Sequence, residues 1–347
     1  MRARLLSLSI IAAAATALGC DSTSPGGAAD PCQVLKEPGS PNATFSSAGV
    51  FTVSPIAVGS ISSIIPLGNL NPPNHVYPTD HIYIIPVNAA TGANAVSAAA
   101  AGTVLELYQP DASDWKVLIK VDKSFYYYYD HITPISGLSI GQSVTAGQVI
   151  GTNAGQGAAA IDFGVYNFNN APVSGILNTC ALKAESFVDA PLKYYSGTLQ
   201  TSLYGKVNTA NNVSKDGKFD YDQAGKLTGN WILSGHQPGA STQYALAFVY
   251  NVVDRSMRVS AGSLLGGGGT FGVQAALNDW SFFNTGSGQV NIRLYPTSQG
   301  DQGAPSTTQF GVLAVQMVSA NQIKVEMFVG NTTGNAAFTA NAQLYER

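Results

Sequence analysis

From Lys226 to the C-terminus the chain alternates apolar and polar positions with a period of two. In "QIKVEMFV", Ile323, Val325 and Met327 share one side while Lys324 and Glu326 take the other, and Val290, Ile292 and Leu294 alternate in the same way with Asn291 and Arg293. Eight such segments follow one another: "NWILSG", "YALAFVYNVV", "SMRVSAGSLL", "TFGVQAAL", "GQVNIRLYP", "QFGVLAVQMV", "QIKVEMFVG" and "AAFTANAQLY". Sequential hairpins of this kind predict an antiparallel up-and-down barrel or sandwich over 226–347, in which closing the sheet removes exposed edges.

The first half is also β-rich. Stretches 48–66, 81–87, 102–108, 115–131 and 148–168 are rich in Val, Ile, Tyr and Phe and are punctuated by Gly, Pro, Asn and Asp, which reads as strands and turns. "NAVSAAAAG" has the alanines of a helix, but Gly102 and the β-branched residues after it favour a strand entrance. In "YYYY", Tyr126 to Tyr129, alternation sends two rings to the core and two to the surface or a groove. The fold class is all-β, with a first domain over 48–195, a polar linker over 196–225, and the hairpin series beyond.

The opening differs from everything after it. "MRARLLSLSIIAAAATALGC" places Arg2 and Arg4 before an apolar run too short to span a bilayer, then small residues before Cys20, the pattern of a secretion signal. Its end, "ALGC", resembles the lipobox of bacterial lipoproteins, which implies lipidation at Cys20 and a membrane anchor in the bacterial cell envelope. Residues 21–47 begin with the Gly- and Pro-rich "DSTSPGGAADP", which suits a tether. Cys32 and Cys180 then remain as an even pair in an oxidising compartment, which predicts a disulfide. Charged residues are 11% of the chain and the formal net charge is -3, with no basic run to follow a phosphate backbone; nucleic acid is excluded as a partner.

An ordered set of cues lies between residues 75 and 168. These are Gly102, Thr103 and Val104; "YDHI", Tyr129 to Ile132; "GQSVTAGQVIG", Gly141 to Gly151; and "IDFGV", Ile161 to Val165. In this order they resemble the lysostaphin or LytM-type zinc metallopeptidases of cell walls, with their duplicated hybrid motif. The resemblance implies a barrel-sandwich hybrid fold, a zinc cofactor, and peptidoglycan or a cell-wall hydrolase as partner.

The departures from that family decide what is expected of the site. The family ligates zinc through an early H-x-x-x-D and the second histidine of a late H-x-H. The first histidine of that pair and the histidine of Y-x-H act in catalysis. Here the late pair is Ala160 and Asp162, and alanine can neither hold a proton nor orient a water. Aligned through "IYIIP", the early pair falls on Thr79 and Tyr83; read by residue type, His75 and Asp80 are the candidates, one residue too far apart. If 79–84 is extended, His81 shares a face with Thr79 and Tyr83, while Asp80 points away and cannot enter the same site. The expected cluster is therefore His81 and Asp162 as candidate ligands, with His75 and Asp80 as further metal candidates and His131 in the catalytic place. A His₂Asp set can hold zinc with a position open to water, and the same residues can form an ordinary hydrogen-bonded network.

Two functions follow for the first domain: a non-catalytic module that binds peptidoglycan or a wall hydrolase, or an atypical zinc-dependent endopeptidase acting on wall peptide. A third concerns the C-terminal barrel. "GNW", Gly229 to Trp231, resembles the signature that opens lipocalin-like barrels and implies a small apolar ligand. The glycine run up to Gly269 lacks the Lys-Ser/Thr of a phosphate loop and reads as a hairpin connection.

Overall fold

The computed structural model describes residues 48–72, 75–88, 94–111, 114–153, 160–175, 185–211, 213–238, 242–273, 288–297 and 303–347. Cys20, Cys32 and Cys180, and with them the expectations of a leader, a lipid anchor and a disulfide, lie outside the described residues.

Nine antiparallel strands form the first sheet: β1 (Ile61–Ile65), β2 (His81–Pro86), β3 (Ala95–Ser97), β4 (Gly102–Asp111), β5 (Asp114–Asp122), β6 (Phe125–Pro134), β7 (Ser143–Val144), β8 (Val149–Asn153) and β9 (Ile161–Asn167). Their order is β1-β2-β9-β6-β5-β4-β7, with β8 joining β6 to β3. "NAVSAAAAG" enters as strand β3, and Ala98, Ala99 and Ala100 are buried in the core beside it.

Alternation along β6 splits the four tyrosines as the pattern predicts. Tyr127 and Tyr129 join the main core with Phe51, Phe125 and Phe163, while Tyr126 and Tyr128 pack on the opposite face. That face is covered as well: Tyr126 meets Phe168 edge-on at 5.6 Å, and Phe168 packs on Phe187 at 4.6 Å. All four rings are buried, so none offers a stacking surface to a sugar.

After β9 the chain passes through a short helix, α1 (Gly197–Tyr204), whose Leu203, with Val207 beyond it, packs into the core of the first sheet. It then builds a closed barrel of β10 (Gly229–Leu233), β11 (Ala245–Tyr250), β12 (Met257–Ala261), β13 (Gly269–Val273), β14 (Val290–Pro296), β15 (Gly311–Ser319), β16 (Gln322–Val329) and β17 (Gln343–Glu346). Each strand overlaps one of the eight alternating segments, overrunning its bounds by one residue at most. In the ladder Trp231 faces Leu246, Phe248 faces Val259, and Ile292 faces Leu313. These residues, with Phe271, Leu294, Val315, Ile323, Val325 and Tyr345, form one contiguous apolar cluster, so side chains fill the barrel.

Trp231 anchors the start of this barrel. Its indole N–H donates to the Leu227 carbonyl at 2.7 Å, and the Arg347 guanidinium stacks on its ring at 3.8 Å. Arg347 also donates to the carbonyl of Thr228 at 2.8 Å and to that of Lys226, tying the last residue to the entry of the first barrel strand. Gly229 stands at φ 124, and a Cβ there would meet Asp222 and Arg347, which explains the glycine of "GNW" in structural terms. Leu70 and Tyr77, which precede β2, also pack into the barrel cluster, and the Tyr77 hydroxyl donates to the Trp231 carbonyl at 3.0 Å.

Candidate functional site

Strands β2, β9, β6 and β5 lie side by side, and their common face carries the chemistry. Tyr83 pairs with Asp162 and Asp162 with Asp130, while His81 pairs with Gly164 and Gly164 with Tyr128. A Cβ on Gly164 would lie 2.2 Å from the Tyr128 ring. The glycine therefore opens the space through which the Tyr128 hydroxyl comes within 3.3 Å of His81 Nδ1.

A β-bulge delivers His131. Tyr129 and Ile132 both enter the core, three residues apart, and they face Val117 and Trp115, only two residues apart. The extra residue falls at Asp130–His131, and His131 stands at φ 62. A non-glycine residue in the left-handed region is strained by about 1–2 kcal/mol, and here the strain turns both Asp130 and His131 toward the same face.

The result is an alternating chain of carboxylates and imidazoles. His131 Nδ1 lies 3.1 and 3.0 Å from the two Asp114 oxygens, and its Nε2 lies 3.4 Å from Asp162 Oδ2. The same Asp162 oxygen is 3.0 Å from His81 Nε2. This last contact is an ion pair lying off the hydrogen-bonding direction, for His81 Nε2 and Asp162 Oδ1 make no hydrogen bond. His81 Nδ1 meets Asp80 Oδ1 at 2.8 Å, and Tyr166 donates to Asp80 Oδ2 at 3.0 Å.

The expectation that Asp80 and His81 cannot share a site is corrected. β2 begins at His81, so the alternation argument does not reach Asp80, which sits in a bend and folds back onto the imidazole. His75 stands at the edge of the cluster, its ring 5.3 Å from that of His81. Thr79 and Tyr83, the positions reached through "IYIIP", are buried beside the cluster. Asp114, Tyr128 and Tyr166 join the site without having been expected from the sequence. Asp114 has no local motif to mark it, and only the bulge opposite brings His131 to it.

Electrostatics follow from this arrangement. Burial works against charge on His81, but Asp162 and Asp80 outweigh it and hold the imidazolium up to about 10. The Asp162 contact, with Asp114 and Asp130 behind it, raises His131 to about 9 against its own burial. Burial also pushes Asp162 and Asp80 upward, but the imidazolium charges overcome it and hold both well below the usual carboxylate range. His75 is lowered by burial and by the His81 charge. Glu185 is raised to about 7 by burial and by Asp80.

The donor types suit zinc, but their placement does not. Zinc bonds of about 2.0–2.2 Å require the donors to converge on one point. Here one Asp162 oxygen lies between the two imidazoles and engages both, so the three donors are strung along a line and do not surround a common point. Among the described residues, the donors that do converge within 4.8 Å of one another are those of Asp114, Asp130 and His131, where His131 Nδ1 already bonds Asp114. The expected set of His81, Asp162, His75 and Asp80 is thus gathered in one place without forming a chelate.

The cluster opens into a cavity of about 360 Å³, whose remaining walls include Lys116, Glu185 and, from the barrel side, Phe219, Ile232 and Ala245. Its volume is that of a site for a small ligand or a short peptide.

Residues 84–173 match the profile of peptidase family M23. The match includes His131 and Asp162 and begins just after His81. No curated protein matches the chain. Similar solved structures include Csd3 of Helicobacter pylori, 23% identical over 35% of this chain and 32% of that one, with a TM-score of 0.27; the chain thus spans about a third of the length of that protein. A mutant form of the catalytic domain of the prophage-encoded M23 protein EnpA from Enterococcus faecalis is 18% identical over 36% of this chain and 88% of that one, with a TM-score of 0.26. The catalytic domain of the antimicrobial peptidase lysostaphin from Staphylococcus simulans is 17% identical over 35% and 83%, with a TM-score of 0.23.

Proposed function

We propose that this chain, which carries a peptidase family M23 domain at residues 84–173, is a non-catalytic envelope lipoprotein whose groove binds peptidoglycan peptide or a wall hydrolase. The observation that carries the reading is Asp162. It stands where the family keeps a ligating histidine, and its carboxylate bridges His81 and His131 instead of leaving either imidazole free. Ala160 supports it, since the neighbouring catalytic position has no side chain that can move a proton. In this reading Cys20 carries the lipid, residues 21–47 are the tether, and the cavity between the histidine cluster and the barrel is the binding groove.

The second reading, an atypical zinc metalloendopeptidase, draws on the buried His81 Nε2 and Asp162 Oδ1, which lack hydrogen bonds and are donors a metal would engage if the bridge reorganised. Carriage of an apolar ligand inside the barrel has less support, because the barrel is filled by its own side chains.

Elemental mass spectrometry on the purified protein, beside His81→Ala and Asp162→Ala, separates the first two readings. The non-catalytic reading expects no retained zinc even after loading, together with sedimentation of the protein on isolated cell walls. Near one zinc per chain, lost in both variants, with muropeptide release that disappears in His131→Ala, would replace it with the hydrolase.

A further inference from the structure

A second cavity, of about 390 Å³, lies away from the histidine cluster, where the segment around 213–221 meets the turn joining β11 to β12. Leu67, Val173, Val188 and Val252 give it an apolar wall. Six charged side chains complete the lining, and five of them are engaged within the chain. Lys193 pairs with Asp189 at 2.6 Å, Lys218 with Asp220 at 2.9 Å, and the Tyr204 hydroxyl donates to Asp216 at 2.5 Å. The sixth, Arg255, forms an ion pair with no carboxylate among the described residues.

Arg255 also occupies an unusual backbone position. Its φ is 62, and His131 is the only other non-glycine residue with positive φ among the described residues. Glycine would take that conformation without strain. The turn itself is closed by other groups: Asn251 Oδ1 accepts from the Val253 and Asp254 amides at 2.7 and 2.9 Å, and the Arg255 amide donates to the Asn251 carbonyl at 2.9 Å. None of these bonds uses the arginine side chain. The turn carries a guanidinium that it does not need, at a position that disfavours it, beside a cavity whose two lysines are already paired with carboxylates.

We propose that this cavity binds a small monoanionic ligand, a carboxylate on a short apolar stem such as the C-terminal end of a peptide, with Arg255 receiving the carboxylate. A guanidinium presents two parallel N–H donors that match a carboxylate's oxygens. The valine and leucine wall receives the stem, and the volume suits a ligand of a few residues. Asp189 and Asp220 are neutralised by their lysines, and Asp216, bonded only to a hydroxyl, leaves a carboxylate in the lining that disfavours a dianion such as a phosphomonoester more than a single negative charge. The inference is independent of the histidine groove and of whether that groove binds metal.

The test is calorimetric titration of the purified protein with N-acetyl-valyl-alanine and with its C-terminal amide, in the wild type, Arg255→Lys and Arg255→Gly. Arg255→Gly leaves the fold in place, because the backbone there already suits glycine, and an unchanged denaturation midpoint verifies this. The acid is expected to bind at least about tenfold more tightly than the amide in the wild type, with the difference reduced in Arg255→Lys and absent in Arg255→Gly. Equal binding of acid and amide, undiminished binding of the acid by Arg255→Gly, preference for inorganic phosphate, or no saturable binding up to about 10 mM of the acid overturns it.

Discussion

The bridge from His81 through Asp162 to His131 gives the protein a stability that depends on pH, and the sign of that dependence is fixed by the structure. His81 titrates near 6.5 in the unfolded chain and at about 10 when folded. Below pH 6.5 both states hold the proton and the interaction is present in full. As pH rises above 6.5 the unfolded state releases its proton first, so stability falls until the folded imidazolium itself titrates. Each pH unit in that window costs about 1.4 kcal/mol for one group, and the whole His81 shift sets an upper bound of about 5 kcal/mol. His131, about a third exposed, adds a smaller contribution of the same sign, up to about 9. On the acid side, Asp162 and Asp80 are depressed below 3.8, so their contribution is present above that value and is lost as pH falls below it. Both limbs describe one set of ion pairs seen from its two partners, so their energies are not summed. The bridge's own contribution is level from about pH 4 to 6.5, declines toward pH 10 and declines again below about pH 4; Glu185, held up to about 7 by burial, adds a decline between about pH 4.5 and 7, and the lowered His75 adds a rise that is complete by about 6.5. Urea denaturation at half-unit pH intervals measures it, alongside Asp162→Asn. That variant leaves buried charge uncompensated, loses about 3–5 kcal/mol at pH 6, and flattens the alkaline limb. A wild-type profile that is level between pH 6.5 and 9, or an unchanged alkaline slope in Asp162→Asn, refutes the bridging role.

Gly164→Ala drives a methyl group into the Tyr128 ring, and a loss of about 1–3 kcal/mol by chemical denaturation is expected; a loss below about 0.5 kcal/mol would show that the ring is free to move aside. Arg347→Met removes the stacking on Trp231 and the bonds to the 226 and 228 carbonyls, and should cost about 1–3 kcal/mol with a change in tryptophan fluorescence, whereas an unaltered emission spectrum would argue against the stack. His131→Gly relieves a strained φ while breaking two carboxylate contacts, so it should destabilise less than His81→Ala, whose imidazole is buried; the reverse order, read from denaturation midpoints, would count against the bulge argument. Zinc at a few equivalents should leave the wild-type melting temperature unchanged, since a metal held by the native state alone would raise it.

The barrel was legible because its chemistry is local. Ile323, Val325 and Lys324, Glu326 obey a period of two, and each pair of neighbours repeats the rule across the ladder. The histidine cluster was legible in membership more than in arrangement. Family order pointed to His131 and Asp162, strand alternation put His81 on their face, and the three do meet. Alternation misplaced Asp80 because the strand starts one residue later, and it could not foresee that a bulge turns Asp130 and His131 to one side. Asp114 was invisible for the same reason, since its partnership depends on an offset of one residue between β5 and β6. The fate of Tyr126 and Tyr128 turned on Phe168 and Phe187, which lie far along the chain and have no sequence link to the tyrosine run.

Leu70 and Tyr77 belong by sequence to the approach to the first sheet, yet they complete the apolar interior of the last one. The chain is thus laced through both folding units, and the barrel does not close its core without side chains from the segment that leads into the first sheet. Denaturation should follow a single cooperative transition, and a protease cutting between residues 205 and 225 should release no half that survives alone. A truncated chain ending before the barrel would expose Leu70 and more of Tyr77 to water, and its melting temperature should fall as a result.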